Sequence, residues 1–434
     1  MTTHRDADVI IVGAGPAGSV TALLLARAGV RVLLVDRHVF PRAKPCGDCL
    51  SAGASDVLHR LRLLDRVAAV PHARLDGWRI CAPDGTAFTS RFAENAPGSA
   101  VDHALAVERA RLDAALLAAA TEAGAAFRSR VHVRDVLRDA AGHVTGIMTG
   151  SGAMHGRVVV AADGLRSIIA TRLGAVRRGV HVRKVSLTAH VFAPELAGAA
   201  GEIHIGDRLV AGLAAVDGDG RCNLTVVGDA ARYGRAVAAD AAAFAAFALD
   251  SLPRLRGRLD WSALRDAPLL ASGPFDRPVR SVVFDGCALV GDAAGYYDPF
   301  TGQGIHQALR SAELLGPVLL RALDGPRVTR RSLQPYAVQR LRLLRGSLAL
   351  QHVIEAVVSR PRAACRMVAR LQRAPSFAAT MLGVIAGLHR PIRLISPHAL
   401  SSLLTHHDSP EPVDDDVGRA VHGRSRTALF PRRR

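Results

Sequence analysis

The 434 residues are 49% hydrophobic and 22% charged, enough apolar matter for a large core, which excludes a wholly disordered chain. Six scattered cysteines exclude a disulfide-built scaffold, and Cys46 and Cys49 have no second Cys or His pair at zinc spacing, so no metal site is expected. The formal charge is +18 and 54 of the 56 basic residues are arginine, so position says more than the sum.

Met1 to Ala7 is polar and has no signal-peptide pattern, which reads as a cytoplasmic protein. Val9 to Ala26 is uncharged and near membrane-span length, but glycines divide it. Asp8 to Val12 reads as a buried β-branched strand and Gly13-Ala14-Gly15-Pro16-Ala17-Gly18 as a turn. Ser19 to Ala28 reads as a helix, Gly29 ends it, and Val30 to Val35 is a second strand closed by Asp36. Gly13 permits the tight turn, Gly15 a close approach of backbone to a pyrophosphate, and Gly18 close helix–sheet packing. The helix N-terminus offers free N–H groups to phosphates. Asp36 stands where a carboxylate accepts from ribose hydroxyls and repels a 2′-phosphate, so the expected ligand is FAD or NAD.

Phe40 to Ser51 reads as a loop, punctuated by Pro41, Pro45 and Gly47, and it carries Cys46-Gly47-Asp48-Cys49. Residues 75 to 92 alternate as a hairpin about Asp84-Gly85, with Trp78, Ile80 and Phe88 inward. Val158 to Ser167 is a buried strand ending in Asp163-Gly164. Ser186 to Phe192 and Asn223 to Val227 are further strands, and Ala236 to Leu252 is helix-like. Leu289 to Gly295 is a strand ending in Gly291-Asp292, followed by Pro299, Gly302, Gln303 and Gly304 and a helix from Ile305 to Leu315. Acids at the carboxyl ends of parallel strands face the ligand crevice.

Residues 327–373 carry eleven arginines and one acid, Glu355. They read as one or two basic helices broken at Pro361. With one aromatic, Tyr336, and no nucleic-acid motif, this segment points away from nucleic acid. It fits a solvated helix face, a helical cap, a lid over a lipid-like substrate, or a peripheral membrane contact through 329–405. The apolar runs Phe377 to Leu388 and Leu394 to Leu404 are too short to span a bilayer, and 408–434 reads as a disordered tail.

Gly13-x-Gly15-x-x-Gly18, Asp163-Gly164 and Gly291-Asp292, in that order, resemble the FAD enzymes of the aromatic-hydroxylase (p-hydroxybenzoate hydroxylase-like) fold. Arg109-Ala110-Arg111-Leu112-Asp113 is similar to that family's Arg-x-x-Leu-Asp helix start. The resemblance implies an α/β chain: a Rossmann-type FAD-binding domain interrupted by a β-sheet substrate domain, with a C-terminal helical region. The expected division is 1–182 for the first FAD part (75–100 joining the substrate sheet), 183–274 substrate domain, 275–328 second FAD part and 329–407 helical region. It also implies Arg109 near the FAD phosphates, Asp163 at the pyrophosphate, Asp292 at the ribitol, and Gly302, Gly304 and Ile305 at the flavin pyrimidine. The expected cofactor shell is completed by Gly13, Gly15, Pro16, Ala17, Gly18, Asp36, Arg37, Gly47, Gly164 and Gly291. No second Gly-rich strand–turn–helix is present, so NAD(P)H is expected as a transient electron donor.

Pro41-Arg42-x-Lys44-Pro45-Cys46-Gly47 is similar to the geranylgeranyl-reductase subgroup, which implies Cys46 beside the reacting ring. Cys46 then either shapes the site and aids proton transfer, its pKa lowered by Arg42 and Lys44, or pairs with Cys49 as a redox couple, or is a small loop residue. The subgroup's aromatic Tyr-x-Trp-x-Phe-Pro stretch is replaced here by Ala211-Gly212-Leu213-Ala214-Ala215-Val216, ahead of Gly218-Asp219-Gly220-Arg221-Cys222-Asn223. The pocket is therefore expected to be apolar but wide, with Tyr296, Tyr297 and Phe300 its best-placed rings. The leading expectation is reduction of a carbon–carbon double bond in an isoprenoid, quinone or polyketide-like substrate, with aromatic hydroxylation as the alternative.

Overall fold

The computed structural model describes residues 5–95, 102–177, 183–194, 198–258, 264, 267–397, 399 and 401; the tail expected at 408–434 lies outside them. Four β-branched or aliphatic strands pair in parallel, in the order Cys287–Leu289, Val158–Ala161, Val9–Val12 and Val32–Val35. Ala126–Arg128 extends one edge in parallel, and Val283–Phe284 closes the other antiparallel. Val9–Val12, Val32–Val35 and Val158–Ala161 are buried throughout, as expected of strands covered on both faces.

The helix Pro16–Arg27 starts three residues earlier than the expected Ser19, taking in Gly18, with Pro16 in its first turn. It packs on the long helix Gly304–Leu323 and on Arg109–Glu122, joining them in one aliphatic core with Ile11, Leu34 and Val160. A Cβ on Gly18 would stand 1.8 Å from the Gly13 carbonyl oxygen, so the close packing expected of this glycine is real.

A seven-stranded sheet runs Leu270–Ser272, Lys184–Phe192, Arg221–Asp229, Leu209–Ala215, Ala200–Ile205, Gly77–Cys81 and Ala87–Arg91. The expected hairpin is its outer pair, attached by parallel pairing of Gly77–Cys81 to Ala200–Ile205. One face packs on Phe244, Leu249 and Leu252. The single helix read at Ala236–Leu252 is two, Ala230–Ala239 and Ala241–Asp250. Asp240 breaks it: its backbone is extended at φ −154°, and its carboxylate accepts from the Ala243 N–H as an N-cap.

The basic segment folds as Arg330–Val358, Pro361–Gln372 and Pro375–Ile385. Thr329 and Ser332 cap the first helix reciprocally, and Pro361 starts the second, at the break the sequence predicts. Their inner faces, with Ile354, Val358, Val368 and Leu371, pack on Phe88, Ile205 and Val210 of the sheet. The helices are thus a wall of the molecule. Outside, Leu341, Ile392 and Ile395 are 64%, 66% and 64% exposed. No helix among the described residues is long and apolar enough to cross a membrane.

Gly18→Ala is expected to destabilise the fold by about 1–3 kcal/mol through overpacking. A urea midpoint equal to that of the parent would contradict the packing role.

Candidate functional site

The parallel register aligns Val12 with Val35 and Ala161, and Ala161 with Leu289. The residues that follow, Gly13, Asp36, Asp163 and Gly291, therefore leave the sheet along one edge. There they border a cavity of about 640 Å³. Gly13, Gly15, Pro16, Ala17, Asp36, Arg37, Cys46, Gly47, Arg109, Asp163, Gly164, Gly291, Asp292, Gly302, Gly304 and Ile305 all line it. Gly18 does not; its place is behind Gly13, against the sheet.

Gly13 sits at φ +103°, and its Cβ would fall 2.3 Å from the Ala162 carbonyl oxygen, so only glycine fits between the two strand ends. A Cβ on Gly15 would meet Nη2 of Arg42 at 3.6 Å and Nη2 of Arg109 at 3.9 Å, so two guanidinium groups stand over the turn. Arg109 forks onto Asp113 at 2.9 and 2.8 Å, and Arg42 shares that carboxylate at 3.3 Å. Asp113 is fully buried and holds both cations in place. Asp36 accepts from the N–H groups of Ala14 and His38, both at 2.8 Å, fixing the acid to the glycine turn.

Asp163 does more than the sequence suggests. Its Oδ2 accepts from the N–H groups of Ile168 and Ile169, while Oδ1 is buried with no partner. Burial raises its pKa. Arg42 Nε is likewise buried and unpartnered. Orphaned polar atoms beside a glycine cradle are what a ligand rich in phosphate and hydroxyl groups would satisfy, so these residues fit FAD.

The Cys46 loop is locked from two sides. Asp48, 1% exposed and at φ +53°, accepts from the Arg109 N–H at 3.1 Å through Oδ1. Its Oδ2 meets His190 Nε2 at 2.5 Å and Asn223 Nδ2 at 2.7 Å. Asn223 Nδ2 also donates to the Cys46 carbonyl at 2.8 Å. The loop that follows the strand Val32–Val35 is thereby tied to the neighbouring strands Lys184–Phe192 and Arg221–Asp229 of the other sheet. The Gly-Asp-Gly-x-x-Asn segment carried a signal for Asn223; nothing in the sequence marks His190, which arrives by strand register opposite it.

The expected lowering of the Cys46 pKa by Arg42 and Lys44 is not found. Burial raises it, and the nearby charge of Arg109 only offsets this in part. Arg42 is engaged by Asp113, and Lys44 lies 3.9 Å from Asp292. Burial and the neighbouring Cys46 push Cys49 up to about 12. Both thiols are free and stay protonated at neutral pH, which weighs against a thiolate redox couple.

Tyr296 and Phe300 line the cavity as expected; Tyr297 does not, and stacks on His352 at 4.2 Å. The loop beneath is braced by the C-terminal helices. Gln303 Nε2 donates to the Ile385 carbonyl at 2.7 Å, and Gln351 Nε2 to Thr301 Oγ1 at 2.9 Å. Lys184, 9% exposed, pairs with Asp298 at 2.8 Å and with Glu355, joining roof, loop and helix. Ile354, Met367, Leu371, Met381 and Ile385 complete the cavity opposite Ile80, Phe88, Ile203 and Ile205.

Alkylation of Cys46 by iodoacetamide at pH 7.5 is expected to run well below the rate of a free cysteine, because a raised pKa depletes the thiolate. The rate should climb with pH beyond the range where a free thiol has levelled off. Peptide mass spectrometry reads the site, and parity with free cysteine at pH 7.5 would refute the protonated thiol.

Residues 6–210 match the family model described as FAD binding domain. Menaquinone reductase of Mycobacterium tuberculosis is 31% identical over 336 residues, 74% of this chain and 78% of that protein. Digeranylgeranylglycerophospholipid reductase 1 of Methanopyrus kandleri is 30% identical over 341 residues, 73% and 81% respectively. Conditioned medium factor receptor 1 of Dictyostelium discoideum is 28% identical over 348 residues, and the chain spans 66% of it. Among solved structures, the myxobacterial FAD-dependent halogenase CndH superposes with a TM-score of 0.72 at 21% identity, over 92% of this chain and 97% of that one, a likeness of fold. The glycine cradle, the three strand-end motifs and these identities agree: the chain belongs to the family of FAD-dependent oxidoreductases that includes the menaquinone and digeranylgeranylglycerophospholipid reductases.

Proposed function

We propose that the protein reduces a carbon–carbon double bond in an apolar isoprenoid, quinone side chain or polyketide-like substrate. The observation that carries this reading is Cys46, a half-buried thiol with a raised pKa on the wall of a largely apolar cavity. The similarity to two reductases supports it. FAD, when bound there, would supply hydride-transfer chemistry, with NAD(P)H as the proposed transient electron donor.

The chain's own residues do the rest. The backbone of Gly13, Gly15, Pro16 and Ala17, with Arg109, would hold the pyrophosphate, and Asp36, beside Arg37, the adenosine ribose. Asp163-Gly164 and Gly291-Asp292 would hold the central part of the cofactor. Gly47, with Gly302, Gly304 and Ile305 at the first turn of the Gly304–Leu323 helix, would hold the flavin end. Cys46 Sγ holds the proton that the second alkene carbon needs, and Asp48 and Asn223 keep its backbone fixed. The apolar walls exclude water.

Aromatic hydroxylation is favoured by one observation, the small side chains Ala211 to Val216 where the reductases of the subgroup carry aromatics. A peripheral contact with anionic lipid through 329–405 is supported by exposed Leu341, Ile392 and Ile395 among arginines 342, 345, 390 and 393.

Product mass separates the two chemistries: a gain of two hydrogens supports reduction, and a gain of one oxygen overturns it. Cys46→Ala is expected to keep FAD and to lose about 100-fold or more in turnover, the usual worth of a positioned proton donor. Unchanged turnover would leave Cys46 a spacer. Gly15→Glu is expected to fold, because its carboxylate meets Arg42 and Arg109, yet to purify colourless. A yellow Gly15→Glu protein would contradict the cradle.

A further inference from the structure

Two adjacent tyrosines end in different places. Tyr297 leaves the cavity and stacks on His352. Tyr296 stays on the cavity wall, and three contacts hold it there. Its carbonyl accepts from the Arg277 N–H at 2.8 Å. Its ring tilts against Phe275, with the centroids 5.8 Å apart. It also lies on Gly304, where a Cβ would stand 3.3 Å from Tyr296 Cε2 and 3.7 Å from its hydroxyl oxygen. The hydroxyl is thereby fixed beside the first residue of the helix Gly304–Leu323.

Among the described residues that hydroxyl has no hydrogen-bond partner. Phenylalanine would make the same ring contacts without leaving a polar group unpaired, so packing alone does not account for tyrosine. Burial, and then the Asp292 and Asp298 carboxylates, hold its pKa well above the ordinary phenol value, so the group remains an O–H donor. The helix end beside it is open in the same sense. No side chain caps it, and Gly302, Gly304 and Ile305 border the cavity. First-turn N–H groups and a phenolic O–H therefore stand together as donors at one end of the cavity. Grouped donors suit an acceptor that carries or gains negative charge.

We propose that the Tyr296 hydroxyl donates to the flavin pyrimidine, beside the N–H groups of the helix, and favours the reduced cofactor over the oxidised one. This rests on reading the Gly302 to Ile305 end of the cavity as the flavin end. It does not depend on which substrate is transformed. Two-electron reduction leaves negative charge near N1 of the pyrimidine, and a donor fixed there binds the reduced form more tightly. Tyr297, turned onto His352, has no such effect.

The test is a spectroelectrochemical titration of the FAD-loaded protein without substrate. Tyr296→Phe is expected to weaken reduced FAD about tenfold relative to oxidised FAD, a fall of about 30 mV in the two-electron midpoint potential. Its affinity for oxidised FAD should stay within about threefold of the parent. Tyr297→Phe makes the same chemical change outside the cavity and should leave the potential unmoved. Ile305→Pro removes one first-turn N–H where a helix tolerates proline, and should also lower the potential. FAD content and the urea midpoint confirm that each variant is intact. A fall in Ile305→Pro with none in Tyr296→Phe would overturn the role of Tyr296 and keep the flavin end. No fall in either would overturn both. Equal falls in the two tyrosine variants, or a loss of oxidised FAD as large as that of reduced FAD, would make Tyr296 a packing residue and overturn the proposal.

Discussion

The parallel register of four short strands is the constraint on which the rest of the structure depends. Val9–Val12, Val32–Val35, Val158–Ala161 and Cys287–Leu289 lie up to 280 residues apart in the chain, yet their ends fall on one line. A one-residue slip would turn every buried side chain to the other face and separate Gly13 from Ala162. Because both faces are covered by apolar layers, the slip is opposed by the whole core. The glycine cradle, Asp36, Asp163 and Gly291 thus owe their convergence to aliphatic burial rather than to any attraction among themselves.

On this base the second sheet acts as a roof and the C-terminal helices as a wall. Three small polar assemblies keep the parts in register. Asp48 holds the Cys46 loop to His190 and Asn223. Gln303 and Gln351 hold the loop after Asp298 to the last helices. Lys184 joins Asp298 and Glu355. All lie at seams between layers, where an unpartnered polar group would be costly to bury, so each favours one relative placement of the layers. Burial raises the Glu355 carboxyl pKa, and the Lys184 ammonium pulls against that rise.

The same burial bears on the chemistry. A thiol near guanidinium and ammonium groups would be expected to ionise easily, and the local sequence around Cys46 invites that reading. In the folded chain those cations are already spent on Asp113 and Asp292, and desolvation governs instead. A protonated sulfur suits proton delivery; a thiolate would suit attack on a disulfide or electrophile. Counting nearby charges in the sequence therefore leads to the wrong protonation state, because it ignores which carboxylates neutralise them.

The motifs proposed to bind the cofactor were legible because they are local. A glycine turn between two apolar runs, or an acid at a strand end, carries its physical reason within about ten residues. The hairpin at Trp78 to Phe88 and the break at Pro361 were legible for the same reason. The break at Asp240 was masked by alanines on both sides, whose helix propensity hides a cap. What only the tertiary structure decided lies between distant segments: His190 beside Asp48, Tyr297 turned onto His352, and the basic helices serving as a cavity wall through their apolar faces. Those placements depend on strand order and layer packing. The sequence by itself determined the cofactor and the enzyme class, since a glycine turn and its flanking strands are written in consecutive residues; the shape of the cavity was decided by the fold, since its walls come from strands and helices that meet only when the chain is folded.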